Sequence, residues 1–272
     1  MSRQAPVRRR PAHQPHRTAI PALLVLWLVA PLTPLLLWAA ASRWSGAAPL
    51  PQDLGLRGWQ EALDAGVIAA LVQSGLLGVA VALIATPLGV MAGRALGWRL
   101  LRRPAFSSVV LLGPVVLAPF AVAMGLDVVI LRLGIPGEVA VVLVLSVFAL
   151  PYTTFTMRAT YLGLDPALEE QARVLGANSR QARRRVTLPA ATTGLVTATG
   201  LAFLVGWSDY VVTLLIGGGQ IVTAPMLIGS SAAGSGNDAL TSTLAISASV
   251  PPLVALAAFT YAASRRSRAA HS

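Results

Sequence analysis

The amino-acid sequence predicts an all-α polytopic membrane protein with six transmembrane helices. Of its 272 residues, 55% are hydrophobic and only 11% are charged, whereas an ordinary soluble domain carries about 25% charged residues. Six uncharged runs are long enough to cross a bilayer as a helix, which takes about 20 residues. The basic residues lie mainly between alternate runs. Together these observations argue against a water-soluble enzyme.

The predicted spans follow a basic tail and are taken here in chain order. The tail, residues 1–19, is rich in Arg and Pro, and its composition predicts a disordered cytoplasmic segment. The first apolar run, Ile20–Ala41, has 22 residues, which exceeds the usual 7–15 of a signal-peptide core and favours a retained helix. The six spans are predicted at residues 20–41, 65–93, 104–126, 139–157, 186–216 and 239–264. Residues 265–272 form a second cytoplasmic tail.

A glycine-rich stretch, residues 217–237, separates the fifth and sixth spans. It contains Gly217-Gly218-Gly219 and Pro225, which are loop and turn signals. We therefore predict an extracytoplasmic loop there, with a short helix around Ala224–Ile228.

The distribution of arginine supports this topology. With the N-terminus in the cytoplasm, 18 of the 21 basic residues fall inside, and only Arg43, Arg57 and Arg132 fall outside. Cytoplasmic loops of membrane proteins carry such an excess of positive charge. Topology thus accounts for the net charge of +11, and nucleic-acid binding is disfavoured.

Several kinds of catalytic site are excluded by residue type. The chain has no cysteine, and its histidines, His13, His16 and His271, lie in the tails. The spans therefore offer no thiolate or imidazole as a metal ligand or general base. A Gly-x-Ser sequence at Gly206–Ser208 lacks the base that an intramembrane serine nucleophile requires. We predict no catalytic residues and no metal site.

One long cytoplasmic loop, residues 158–188, contains signals for two short helices. Asp165 followed by Pro166 is typical of a helix start. Gly176 is placed to end that helix in a left-handed conformation. Asn178 and Gln181, three residues apart, predict a capping box for a second helix that runs to Pro189. We call this helix–glycine–helix unit, residues 164–189, the bracket.

The first helix of the bracket has an apolar side. The helical spacing of its apolar residues predicts one stripe, formed by Leu164, Leu168, Ala172 and Leu175. This stripe needs a partner, which is either the protein's own helical bundle or another protein. We expect Glu169 and Glu170 on the other flank, near the helix start where negative charge is favoured.

The bracket carries the residues of a known family motif. The pattern resembles the EAA motif: Glu170-Gln171-Ala172, three residues, Gly176, nine residues, and then Val186-Thr187-Leu188-Pro189. That motif marks the membrane subunits of binding-protein-dependent ABC importers of the type I fold. Gln171 replaces the usual alanine, and Val186 replaces the usual isoleucine. The resemblance covers roughly residues 65–262.

The resemblance implies a transport subunit, residues 20–264, with no enzymatic activity of its own. In this family the two short helices dock on a cytoplasmic ABC ATPase dimer. The resemblance therefore assigns ATPase coupling to Glu169, Glu170, Gln171, Ala172, Gly176, Leu188 and Pro189. The chain has no lysine and hence no Gly-x4-Gly-Lys phosphate loop. ATP and magnesium thus belong to the partner ATPase, and the chain itself binds no cofactor.

The other partners that the resemblance implies are a second permease subunit, an extracytoplasmic solute-binding protein and membrane lipid. The permease pair is a homodimer or a heterodimer. The expected location is the plasma (inner) membrane of a prokaryote, with several spans and both termini in the cytoplasm.

Three residues near the end of the fifth span are candidates for the substrate pathway: Trp207, Asp209 and Tyr210. A carboxylate in a membrane is costly and is a functional candidate for that reason. An interfacial acid exposed to water is the alternative. The segment from 202 to 216 is similar to polyamine permeases, so a spermidine- or putrescine-like substrate is expected. Thiamine, iron or phosphonate are alternatives within the family, and an ion-coupled secondary transporter is the alternative from another class.

Overall fold

The computed structural model describes residues 23–24, 26–27, 29–45, 48–234 and 236–269, without the side chains of residues 256 and 258–269. The predicted tail at residues 1–19 lies outside this part of the chain. The first elements are α1 (Leu32–Ala39), β1 (Ala41–Arg43), β2 (Asp53–Leu54), α2 (Arg57–Asp64), α3 (Val67–Gly97), α4 (Pro104–Val116) and α5 (Pro119–Leu133). They are followed by α6 (Gly137–Leu162), α7 (Ala167–Val174), α8 (Ser179–Ala182), a π-helical turn (Arg183–Thr187), α9 (Leu188–Ala190), α10 (Thr192–Ser208), α11 (Val211–Ile216), α12 (Ala224–Ala233) and α13 (Asp238–Ala269).

The structure confirms the all-α class. Strands are confined, in the described part of the chain, to one short antiparallel hairpin in which Ala41 pairs with Leu54. Helices overlap all six predicted spans, although the described helix within the first, α1, covers only Leu32–Ala39. Within the described ranges, α3 and α6 are long and apolar enough to qualify as membrane spans, and two bent helix pairs would raise that number to four.

The third and fifth predicted spans are not single straight helices. The third is divided into α4 and α5, which meet at 92°. Leu117 and Ala118 are extended there, because proline disfavours helical geometry in the residue before it and Pro119 donates no backbone hydrogen bond. In the fifth, residues 179–190 meet α10 at 78°. Helix α12 confirms the short helix expected near Ala224, although it ends five residues later than predicted.

Three helices, α3, α6 and α10, form the centre of the bundle. Glycines allow their backbones to approach closely, as is common where helices pack within a membrane. A Cβ atom on Gly93 of α3 would lie 2.5 Å from Cβ of Met157 on α6. Similarly, a Cβ on Gly206 of α10 would lie 2.8 Å from Cα of Gly78 on α3. These contacts set the relative positions of α6 and α10, the helices that the loop of residues 163–191 connects.

The main core surrounds these contacts. It joins α3, α5, α6, α10 and α11 through buried side chains that include Val81, Ala123, Leu145, Ala202 and Val212. A second buried cluster, at the end of α6, contains Met157 and Tyr161 and packs against Leu164 of the bracket. The bracket therefore begins on a rigid base.

Candidate functional site

The first helix of the bracket starts at a side-chain cap. The backbone N–H of Ala167 donates a hydrogen bond of 2.9 Å to Oδ1 of Asp165. Helix α7 then runs from Ala167 to Val174, with Glu169 and Glu170 in its first turn. The predicted start at Asp165-Pro166 is thus confirmed to within one residue.

Gly176 ends this helix in a left-handed conformation, with φ of +91°. Its N–H donates to the carbonyl of Arg173 at 3.0 Å, and the N–H of Ala177 donates to the carbonyl of Ala172 at 3.1 Å. This pair of bonds is a Schellman motif, which usually places glycine at the residue of positive φ. The predicted left-handed cap is confirmed.

The second half of the bracket begins with the predicted capping box. Gln181 N–H donates to Oδ1 of Asn178 at 2.9 Å, and Asn178 N–H donates to Oε1 of Gln181 at 3.0 Å. Helix α8 continues through the π-helical turn into α9, so the segment is helical from 179 to 190. Single π turns inside helices are frequent at functional sites.

Glu169 lies on a different side of α7 from the one expected. We predicted both glutamates on the flank away from the apolar stripe. Glu169 is instead buried, with 9% of its surface accessible to solvent, whereas Glu170 is exposed. Nη2 of Arg94, in the last turn of α3, donates to both carboxylate oxygens of Glu169 at 3.0 Å each. The hydroxyl of Thr187 donates to Oε2 of the same carboxylate at 3.1 Å. A buried carboxylate needs such partners, and they explain its orientation.

Trp98 supports the same corner. The guanidinium carbon of Arg94 lies 4.7 Å from the centre of the Trp98 ring. Trp98 Nε1 donates to the carbonyls of Tyr161, at 3.0 Å, and Leu164, at 3.3 Å. Arg94 therefore lies between Glu169 and a tryptophan ring that is itself anchored to the backbone.

The opposite side of the bracket is exposed and partly apolar. Val174 and Leu175, at the tip before Gly176, are 87% and 88% exposed. Leu164 packs on the bundle, whereas Leu168 is largely exposed. Of the remaining coupling candidates, Gln171 and Pro189 are exposed, and Ala172 and Leu188 are half-buried. The apolar stripe is thus divided between the bundle and the outside.

The three pathway candidates have separate environments. Trp207 is buried, stacks on Phe203 with ring centres 5.6 Å apart, and donates to the carbonyl of Ala248 at 3.2 Å. Tyr210 is partly exposed and covers Gly229 of α12.

Asp209 occupies the break between α10 and α11. Its Oδ2 accepts hydrogen bonds from the N–H of Thr213, at 2.8 Å, and from the hydroxyl of Thr213, at 2.9 Å. Its carboxylate therefore caps α11.

An apolar cavity of about 740 Å³ lies between α3, α10 and α13. Its described lining includes Leu83, Thr197, Gly200, Leu204 and Pro252. No sequence pattern predicted this cavity. Likewise, no local pattern joins Arg94 to Glu169, which lie 75 positions apart.

The fold and sequence resemble those of transport proteins. A family model described as "binding-protein-dependent transport system inner membrane component" matches residues 85–269. The chain is 39% identical over 82 residues to the trehalose transport system permease protein SugB of Mycobacterium tuberculosis, covering 30% of each chain. It is 34% identical over 67 residues to the diacetylchitobiose uptake system permease protein DasC of Streptomyces coelicolor, covering 25% of this chain and 24% of that one. These matches span less than a third of either relative.

A solved structure resembles almost the whole chain. It is that of a bacterial ABC transporter involved in the import of the acidic polysaccharide alginate. The TM-score is 0.61, and the likeness covers 94% of this chain and 99% of that chain at 16% sequence identity. At this identity the likeness concerns the fold.

Proposed function

Since the chain belongs to the family of binding-protein-dependent transport system inner membrane components, we propose that it is a permease subunit that couples solute import to a separate ATPase through the bracket. The geometry of the bracket is the observation that carries this proposal. Its inner side is bound to α3 by Glu169, while its outer side presents Val174, Leu175 and Glu170. An exposed apolar tip on a rigid support suits a docking surface.

In this proposal, the ATPase dimer supplies all of the hydrolysis. ATP binding brings the two ATPase subunits together and moves the bracket of each permease subunit. The bundle then opens outward to accept solute from the binding protein. Glu170, Gln171, Ala172, Gly176, Leu188 and Pro189 shape the docking surface. A second permease subunit, identical or different, completes the pathway. Both termini are assigned to the cytoplasm of a prokaryote.

We propose a saccharide as the substrate, in place of the polyamine that sequence similarity favoured. Two relatives are named for trehalose and diacetylchitobiose. Moreover, the acid that would attract a cation, Asp209, already accepts two hydrogen bonds from Thr213. Its Oδ2 is therefore engaged by the chain itself as the cap of α11. Trp207 and Tyr210 remain candidates for the wall of the pathway.

The proposal is tested by purification and uptake. The chain, expressed with the ABC ATPase, second permease subunit and binding protein of its transport system, should co-purify with the ATPase. Vesicles of the complex should take up a neutral disaccharide only with ATP, and vanadate should stop that uptake. Competition by spermidine instead of disaccharide would favour the polyamine substrate. If the chain alone accumulates solute on a proton or sodium gradient, it is a secondary transporter and the proposal is wrong.

A further inference from the structure

One buried carboxylate joins three elements that are distant in sequence. Glu169 belongs to α7, Arg94 to the last turn of α3, and Thr187 to the π-helical turn before α10. Both oxygens of Glu169 are occupied, since Arg94 binds the two and Thr187 binds one of them. A displacement of α7 thus acts directly on the end of α3 and on the helical segment 179–190 that leads into α10.

The chemistry of the contact makes it specific. Arg94 forms a charge-assisted contact with both oxygens of Glu169, and such contacts are stronger than neutral hydrogen bonds. The Glu169 side chain is 11% exposed and that of Arg94 is 26% exposed, so solvent screens the pair less than a surface pair. A glutamine at 169 would keep the shape of the side chain but lose the charge and one acceptor oxygen.

The rest of the corner resists movement. Trp98 lies against Arg94 and donates to backbone carbonyls at the end of α6. Gly97 allows this approach, since a Cβ there would lie 2.7 Å from Cβ of Tyr161. Force that arrives at Glu169 therefore meets a rigid junction of α3 and α6 and is not absorbed by a flexible loop.

We infer that Glu169 and Arg94 are positioning residues that fix the bracket on the bundle, so that α3 and α10 move when α7 moves. This inference rests on the proposed function, and it assigns different roles to two adjacent glutamates. Glu170 faces outward to the ATPase, while Glu169 faces inward and transmits its motion.

The first test requires no partner protein. Because the chain has no cysteine, Leu175→Cys provides a unique exposed site for a spin label at the tip of the bracket. Glu169→Gln and Arg94→Gln should each increase the mobility of this label in lipid nanodiscs. Exchanging the charges, Arg94→Glu with Glu169→Arg, should reduce it again. Arg57→Gln is the matched control, because it breaks an exposed Arg57–Glu61 pair of 2.7 Å elsewhere and should leave the label unchanged.

The second test measures coupling in the complete complex. Glu169→Gln should still bind the ATPase, but we expect solute moved per ATP hydrolysed to fall about tenfold, a typical factor between coupled sites. A role in stability alone would lower the amount of complex and leave this ratio unchanged.

Unaltered label mobility overturns the inference, as does a more mobile label in a complex with a normal ratio of solute moved to ATP hydrolysed. If the unsubstituted chain binds no ATPase, the proposed function fails, and the spin-label result still reports on the contact.

Discussion

The left-handed turn at Gly176 provides a graded test of how rigid the bracket must be. Its φ of +91° suits glycine, and the N–H groups of Gly176 and Ala177 close the end of α7 on the carbonyls of Arg173 and Ala172. A Cβ at this position would meet no atom within 4 Å. The Gly176→Ala variant therefore suffers from backbone strain without a steric clash.

The size of the effect follows from that strain. A left-handed conformation costs a residue with a Cβ about 1–2 kcal/mol, which corresponds to roughly a 5- to 30-fold change in a local equilibrium. Asparagine tolerates this region better than alanine, and β-branched valine tolerates it less. Proline cannot adopt it and also loses the N–H that binds Arg173. We therefore expect substitutions of Gly176 to disrupt the turn increasingly in the order Asn, Ala, Val and Pro.

Hydrogen exchange of the purified protein measures this opening. Amides in residues 172–182 should exchange about 5 to 30 times faster in Gly176→Ala. Gly163→Ala is the matched control, because Gly163 has φ of −86° and its added Cβ would lie 3.6 Å from the nearest atom. Gly176→Pro should insert normally into the membrane but separate ATP hydrolysis from transport. Equal exchange in the two alanine variants, or normal transport by Gly176→Pro, would refute the reasoning.

Two further substitutions test the bundle and the break after α10. Gly93→Ala would place a Cβ 2.5 Å from Cβ of Met157, so we expect about 1–3 kcal/mol of destabilisation and a lower thermal midpoint of unfolding. Gly113→Ala is the control, because a Cβ there meets open space and should leave the midpoint unchanged. Equal midpoints for the two variants would contradict the close approach of α3 and α6. Asp209→Ala should lose the cap on Thr213 and about 1 kcal/mol of stability, while Asp209→Asn keeps an acceptor oxygen and should leave both stability and disaccharide uptake unchanged. Reduced uptake by a stable Asp209→Asn protein would instead place this carboxylate in the pathway.

The ends of the bracket helices could be predicted from sequence because their causes are local. The bonds of Asn178 with Gln181, and those around Gly176, span only three to five residues. Local hydrogen bonds of this kind act through neighbouring residues, so residue type and spacing are sufficient. The side of α7 that faces the bundle was predicted less well. The apolar stripe was expected to decide it, but the bonds of Glu169 to Arg94 turn a carboxylate inward.

Hydrophobicity and helix caps act over short stretches of chain, so residue type and spacing were enough to predict the approximate positions of the apolar helices and the two capped helices of the bracket. Which of the two glutamates is buried depends instead on contacts between helices that are distant in sequence. The contact between Arg94 and Glu169 exists because α3 and α6 approach closely at Gly93 and Gly97. Such an approach depends on how whole helices pack, and no pattern within one helix specifies it.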